Sequence, residues 1–344
     1  MTEKRLSYID ISRGIALILV VFGHLFKLGS NTSRWIFSFH MPIFFIISGY
    51  VTNTEKYNCF KDYFIKKLKQ LILPYFGVLL FGFIISIIIK DWRSGVLSLN
   101  ALEQAFYYTQ PELFHVGQIW FLVALFNTLI AFYFIDKFIT SKIDNKKKLL
   151  VIILLIFVAL IALGYCLKNP IKLLEFSRLP FKIDLLPMSL FFMLFGKFLK
   201  KFLIIDYFIS DKIIKLSSML LFLAINILCG VLINGYVNIC DCIYDNIYVY
   251  IIAALTGSLF IINLSSILYN FKPLKFYGKN SLFMFSIHSM LLYLSEVCLS
   301  NIYDKDINIM VNIPYISCFI TGILIMIVLY VITKIKNCIF KFEK

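Results

Sequence analysis

A chain of 344 residues that is 60% hydrophobic and only 15% charged, with a mean hydropathy of +0.87, is too apolar for a water-soluble globular protein. Its formal charge of +15 would suggest nucleic acid in a soluble chain, but here the basic residues sit between apolar runs, where they set orientation across a bilayer. Composition therefore excludes a soluble enzyme and gives no support to nucleic-acid binding.

The first apolar run covers 9–28 and contains Asp10, Arg13 and His24; with no small-residue cleavage site after a basic start, it reads as a retained helix. The second, 35–52, is the shortest, and Pro42 and Gly49 bracket a short helix within it. Further runs follow at 69–89, 118–136, 148–167, 184–205, 213–234, 248–269, 279–300 and 312–334. Each approaches the roughly 20 residues that carry a helix across about 30 Å of hydrocarbon. Continuous apolar runs of this length satisfy their backbone groups only as helices, because hydrocarbon offers no other partner. The predicted fold is all-α, a polytopic membrane protein of about ten transmembrane helices. No Pro/Gly/Ser-rich linker and no solvated block longer than about 25 residues intervenes, so residues 1–344 read as a single domain with no appended soluble domain.

Lysine and arginine alternate in density from loop to loop. The N-terminus, 53–70, 137–148, 197–215, 270–279 and the tail hold 24 of them against 9 in the alternate loops, which predicts both termini on the cytoplasmic side. The long loops 90–117 and 235–247 then face outside. The first carries Trp92, Phe106, Tyr107 and Tyr108 beside Glu103, Gln104 and Glu112, a composition that suits a membrane interface or a sugar. Of eight cysteines only Cys240 and Cys242 share a loop, and one intervening residue is poor geometry for a mutual disulfide. No spacing of Cys and His suggests a metal site.

Ionisable groups inside a span are expensive and mark function by default. The eleven-residue step from Arg13 to His24 returns to within about 20° of the same helix face and climbs roughly 16 Å. Asp10, three residues before Arg13, lies on nearly the same stripe and can orient the guanidinium. A histidine farther along that face, deep in the same helix, needs a polar partner, since lipid offers none. His40, just ahead of Pro42, is placed near an extracytoplasmic entrance.

These residues carry a resemblance. Asp10-x-x-Arg13-Gly14, the ten residues between Arg13 and His24, and Phe39-His40-Met41-Pro42-Ile43-Phe44-Phe45-Ile46-Ile47-Ser48-Gly49-Tyr50 resemble the membrane acyltransferase-3 family. Looser matches extend it over nearly the whole chain: Lys66-Lys67-Leu68-Lys69 leading to Leu73-Pro74-Tyr75, Ile119-Trp120-Phe121-Leu122, Phe191-Phe192 to Gly196-Lys197, and Tyr277-Gly278-Lys279-Asn280-Ser281-Leu282 followed by His288. Within the family the chain is similar to the fucose 4-O-acetylase-like, carbohydrate-modifying branch.

The resemblance implies a ten-helix enzyme of the bacterial plasma membrane, moving an acetyl or other short acyl group from acetyl-CoA to a hydroxyl of a glycan or glycolipid. His24 would serve as general base or as acyl carrier, Arg13 would bind donor phosphate or hold the active geometry, and Asp10 would orient Arg13. Lys66, Lys67 and Lys69 would meet the phosphates of the donor, although positive-inside bias accounts for them equally well. His40 and Ser48 would position the acceptor or stabilise an oxyanion, and Trp120 would line the acceptor path. His288 reads either as a member of the cavity or as a hydrogen-bonded helix-packing residue, and His115 as a solvated one, so neither ranks as catalytic. No metal is expected. The rival reading is a transporter or flippase of a glycan-related substrate, which would favour a pair of broken helices or an inverted repeat; neither is visible in the sequence.

Overall fold

The computed structural model describes residues 7–88, 98–143, 145–168, 178–303 and 315–339. In chain order the helices are α1 (Ser7–Leu25), α2 (Asn31–Phe37), α3 (Pro42–Val51), α4 (Phe60–Lys67), α5 (Leu73–Ile88), α6 (Leu99–Phe106), α7 (Trp120–Ile135), α8 (Lys146–Lys168), α9 (Leu186–Lys201), α10 (Ile204–Ser210), α11 (Lys212–Ile227), α12 (Ile247–Ile267), α13 (Lys272–Lys279), α14 (Ser281–Tyr303) and α15 (Tyr315–Ile339). Among the described residues the only strand-like pairing is the isolated bridge between Asn238 and Ile243. The chain is an all-α, polytopic membrane protein.

Every predicted run overlaps a helix, and the second, 35–52, overlaps two, α2 and α3. Among the described residues, eight stretches are long and apolar enough to span a bilayer. The other two runs are α9, which at 16 residues is short for a crossing, and α14, whose 23 residues include Ser286, His288, Ser289 and Glu296. Trp92 and the terminal basic residues Lys4, Arg5, Lys341 and Lys344 lie outside the described residues.

Local chemistry sets the helix ends. Ser30, Asp211 and Asn246 cap α2, α11 and α12 by accepting from the first free backbone N–H groups. Within the second span, Asn31–Val51, regular α-helix gives way to turns. It breaks over residues 38–41 between α2 and α3, and His40 sits in the break. Pro42 then starts α3, where its missing N–H costs nothing. Irregular backbone at membrane depth is tolerated only inside protein or beside a cavity, and all four residues of this break are buried. Sequence patterning shows no paired broken helices; the structure has a break in this one span, together with π turns at Leu68–Ile72, Asp136–Thr140 and Leu228–Ile233.

The chain divides into two compact units. The first gathers Met1–Phe44, Ile205–Val237 and Asp245–Lys344; the second gathers Phe45–Ile204 and Asn238–Tyr244. In the first unit α1 is the hub, packing on α2, α12, α13, α14 and α15, while α11 packs on α12. The α1–α13 crossing is made backbone to backbone. A Cβ on Gly14 would stand 2.2 Å from the Leu274 carbonyl oxygen, and one on Gly278 would stand 1.6 Å from that of Asp10. The start of α1 and the end of α15 both reach the connection between α12 and α14: Ser7 Oγ donates to the Tyr269 carbonyl at 2.8 Å, and Asn337 Nδ2 donates to Asn280 Oδ1 at 3.2 Å.

In the second unit α7 packs on α9, and α9 on α8. Here Gly49 and Gly196 bring α3 against α9: a Cβ on the first would meet the Met193 carbonyl oxygen at 1.8 Å and one on the second that of Ile46 at 1.9 Å. The same unit holds a fully buried carboxylate in an ion pair. Asp136, fully buried, binds Lys197 Nζ through Oδ1 at 2.9 Å and Oδ2 at 3.1 Å. Thr54 Oγ1 donates to its Oδ2 at 2.7 Å, and Thr140 Oγ1 donates to its Oδ1.

Candidate active site

The polar stripe predicted on the first span is realised on one unbroken helix, so Asp10, Arg13 and His24 keep the angular relation that helix geometry dictates. Asp10 is fully buried at the α13 crossing, while Arg13 and His24 are half-buried. His24 lies in the last turn of α1 rather than deep in mid-helix. There the unsatisfied carbonyls of the helix end favour a positive charge that develops on the ring.

Around His24 the first unit assembles two further histidines. The His288 ring on α14 lies 5.8 Å from it, centroid to centroid. The Phe37 ring stands edge-on to it at 6.0 Å, and Phe37 in turn lies 4.8 Å from the ring of His40. His40 and His288 are each tied by one hydrogen bond to their own helix region: His40 Nδ1 to the Ile36 carbonyl at 2.9 Å, and His288 Nδ1 to the Phe285 carbonyl at 2.5 Å. A carbonyl oxygen only accepts, so each Nδ1 carries the proton and, in the neutral ring, each Nε2 carries the lone pair. The pair of bonds thus presents two imidazoles in the base-competent tautomer. His288 Nε2 is buried and meets no hydrogen-bond partner among the described residues.

Polar atoms continue around the broken span. Asn226 on α11 donates to Ser38 Oγ at 3.1 Å and to the Ala253 carbonyl at 2.8 Å, while its Oδ1 is buried and unbonded among the described residues. Trp35 Nε1 is likewise buried without a hydrogen-bond partner among them. Arg34 donates to the Asn234 carbonyl. Lone donors and acceptors gathered in an otherwise apolar interior mark a place where a polar ligand or water regains their hydrogen bonds.

The remaining predicted residues belong to the second unit. Ser48 lies half-buried on α3, and Trp120 is buried in the first turn of α7 with its ring 6.0 Å from that of Phe121. Lys66 and Lys67 end α4, with Nζ 5.4 Å over the Tyr57 ring and 5.5 Å over the Tyr63 ring; Lys69 follows, exposed, in the π turn. The structure therefore brings His24 and His40 into one unit with Asp10 and Arg13. It does not gather Ser48, Trp120 and the three lysines with them in that unit. His288, which the sequence left open between cavity and packing, is set by the structure beside His24; its only signal was the looser motif running from Tyr277.

Hydrogen bonds join the two long loops to each other and to the segment before α9. Lys182 Nζ donates to Gln110 Oε1 at 2.7 Å and to the Cys240 carbonyl at 3.4 Å, and Arg178 donates to that carbonyl at 3.0 Å while pairing with Asp184 at 3.2 Å. Cys240 Sγ donates to Gln110 at 3.0 Å. Burial pushes both thiols up, Cys242 to about 11, which keeps them protonated and unreactive near neutral pH. Burial likewise raises the Asp184 carboxyl, against the opposing pull of Arg178. Among the described residues no group of three or more His, Cys, Asp or Glu side chains is disposed to hold a metal ion.

Comparison with known families gives one finding: the family model described as an acyltransferase domain, that of the acyltransferase-3 family, matches residues 6–331. No curated protein and no solved structure matches the chain.

Proposed function

The chain belongs to the acyltransferase-3 family and is a membrane acyltransferase; from that premise we propose that it takes an acetyl or other short acyl group from acetyl-CoA and passes it to a hydroxyl of a cell-envelope carbohydrate. The observation that carries this reading is the single helix α1, which holds Arg13 and His24 on one face about 16 Å apart, with His24 set among other histidines. A helix so equipped offers a cation for an anionic donor at one end and proton chemistry at the other.

In this reading both termini are cytoplasmic, as the lysine distribution favours. Arg13, oriented by Asp10, meets a phosphate of the donor with the fork geometry that suits that group. Lys66, Lys67 and Lys69 add positive charge on the same side of the membrane. His24 takes the proton from the acceptor hydroxyl as the oxygen attacks the thioester carbonyl; the C–S bond breaks, and the imidazolium returns the proton to the departing thiolate. His40 and Ser48 position the acceptor or the developing oxyanion, and Trp120 lines the acceptor path. The site is that of a multi-pass enzyme in a bacterial plasma membrane, and its acceptor is a polysaccharide, a lipopolysaccharide or a glycolipid. Trp35 Nε1 and Asn226 Oδ1, buried and without a hydrogen-bond partner among the described residues, supply a donor and an acceptor suited to a sugar hydroxyl.

The test uses membranes containing the chain, acetyl-CoA, and the envelope glycan fraction of cells that lack it. Thiol release that depends on the glycan, with a matching gain of O-acetyl mass on the glycan, is the expected result. Thiol release that is absent, or indifferent to the glycan, overturns the carbohydrate acceptor. An acetyl group trapped on His24 would replace direct transfer with a covalent route.

A further inference from the structure

His288 takes no part in that transfer, yet its ring nitrogen is the most conspicuous loose end beside His24. Its Nδ1 is committed to the Phe285 carbonyl, so its Nε2 holds a lone pair. That nitrogen is buried, without a hydrogen-bond partner among the described residues, on a side chain with no solvent exposure. Phe285, 5.1 Å away, lies against Phe44 at 6.2 Å and gives the ring apolar company. A buried acceptor without a bond costs free energy, and the imidazole of His24, 5.8 Å away, is a polar neighbour that can supply one.

We propose that His288 is a positioning residue for His24: its Nε2 accepts a hydrogen bond from one ring N–H of His24, so that the other nitrogen of His24 holds the lone pair turned to the acceptor hydroxyl. The inference rests on the reading of His24 as the group that takes that proton. Burial divides the labour. Half-buried His24 keeps some exposure through which a substrate reaches it, whereas fully buried His288 acts only through its neighbour. Two imidazoles joined N–H to N have centroids about 5 Å apart, so a small rotation closes the gap, and catalytic hydrogen bonds commonly tighten only in the substrate complex. The proton from the acceptor ends on His24 and leaves with the thiolate; His288 keeps its own proton on Nδ1 throughout. It thus orients the base and shares the charge of the imidazolium, the part a carboxylate plays in a serine-hydrolase triad.

The experiment compares His288→Gln, whose side-chain carbonyl still accepts, with His288→Phe, which fills the space and accepts nothing, in the full-length protein in lipid nanodiscs. His288→Phe is expected to lower kcat by about ten- to a hundredfold with KM for acetyl-CoA unchanged, and His288→Gln to recover most of that loss. A second readout needs no turnover: carbethoxylation of His24 by diethyl pyrocarbonate, followed by mass spectrometry, slows in His288→Phe and stays near wild type in His288→Gln. Equal kcat and equal His24 labelling in the two variants overturn the inference and reduce His288 to packing. Wild-type activity in His24→Ala instead overturns the reading of the site, and the labelling arm still decides whether His288 orients His24.

Discussion

Each unit buries a polar cluster, and the two are built to opposite rules. In the second, Asp136 is exhausted: both oxygens meet Lys197, Thr54 bonds one and Thr140 the other, and the carboxylate has no capacity left for a ligand. In the first, His40 and His288 are each held through Nδ1 by a backbone carbonyl, which puts the lone pair on Nε2, and the half-buried His24 lies beside His288. Ionisable groups are costly within a membrane in both places, so cost alone does not identify function. The distinguishing feature is residual capacity, a lone pair or N–H that the fold holds in position without consuming it.

That contrast separates loss of chemistry from loss of fold. His24→Ala is expected to lower acyl transfer by about a hundred- to ten-thousandfold, measured as thiol release in nanodiscs, with thermal unfolding unchanged. Asp136→Ala should do the reverse. It strands the Lys197 ammonium inside the protein and is expected to cost about 3–5 kcal/mol of stability, seen as a lower unfolding temperature, while surviving folded molecules keep their turnover. Replacing both partners, as Asp136→Leu with Lys197→Met, removes the stranded charge and should restore most of the stability. Loss of turnover in the stable double variant would place the ion pair in the chemistry and dissolve the distinction between the clusters.

How much of this was legible in the sequence follows from the range of the interactions involved. Helical periodicity is local, so residue spacing alone suffices to place Asp10, Arg13 and His24 on one face. The break around His40 was partly announced by Pro42, which marks where α3 begins. His288 was not legible as a partner, because its meaning arises from a contact between the first span and one of the last. Asp136 and Lys197 escaped for the same reason: one reads as the end of an apolar run and the other as a loop lysine, and only packing of α9 on α7 turns them into a pair. The knot of Gln110, Arg178, Lys182 and Cys240 draws on three loops that no periodicity connects.

A smaller effect tests the frame that holds the histidine-bearing helix. Gly278→Ala puts a methyl group into the Asp10 carbonyl, where only 1.6 Å is free, and α1 must move from α13 to admit it. Overpacking of this kind costs about 1–3 kcal/mol. Because the displaced segment is the one carrying Asp10 and Arg13, the expected signature is a raised KM for acetyl-CoA together with a lower unfolding temperature. Gly49→Ala, which opens the α3–α9 crossing of the second unit, should lower stability without that change in KM.

The smallest effect concerns the lysines of α4 and the π turn. Exposed charges act through solvent and salt, each worth only about 0–1 kcal/mol, and Lys66 and Lys67 already lie over Tyr57 and Tyr63. If they draw in the polyanionic donor, the triple variant Lys66→Gln, Lys67→Gln, Lys69→Gln raises KM for acetyl-CoA by roughly threefold to thirtyfold at low salt and leaves kcat alone. The difference from wild type then shrinks as ionic strength rises toward about 0.5 M, where the screening length falls to about 4 Å. Arg13→Gln provides the contrast, since a half-buried guanidinium on the α1 face is screened far less and its loss should persist at high salt. A triple variant with an unchanged KM at every salt concentration returns these lysines to the role of orienting the chain in the membrane, and leaves recognition of the donor to the α1 face alone.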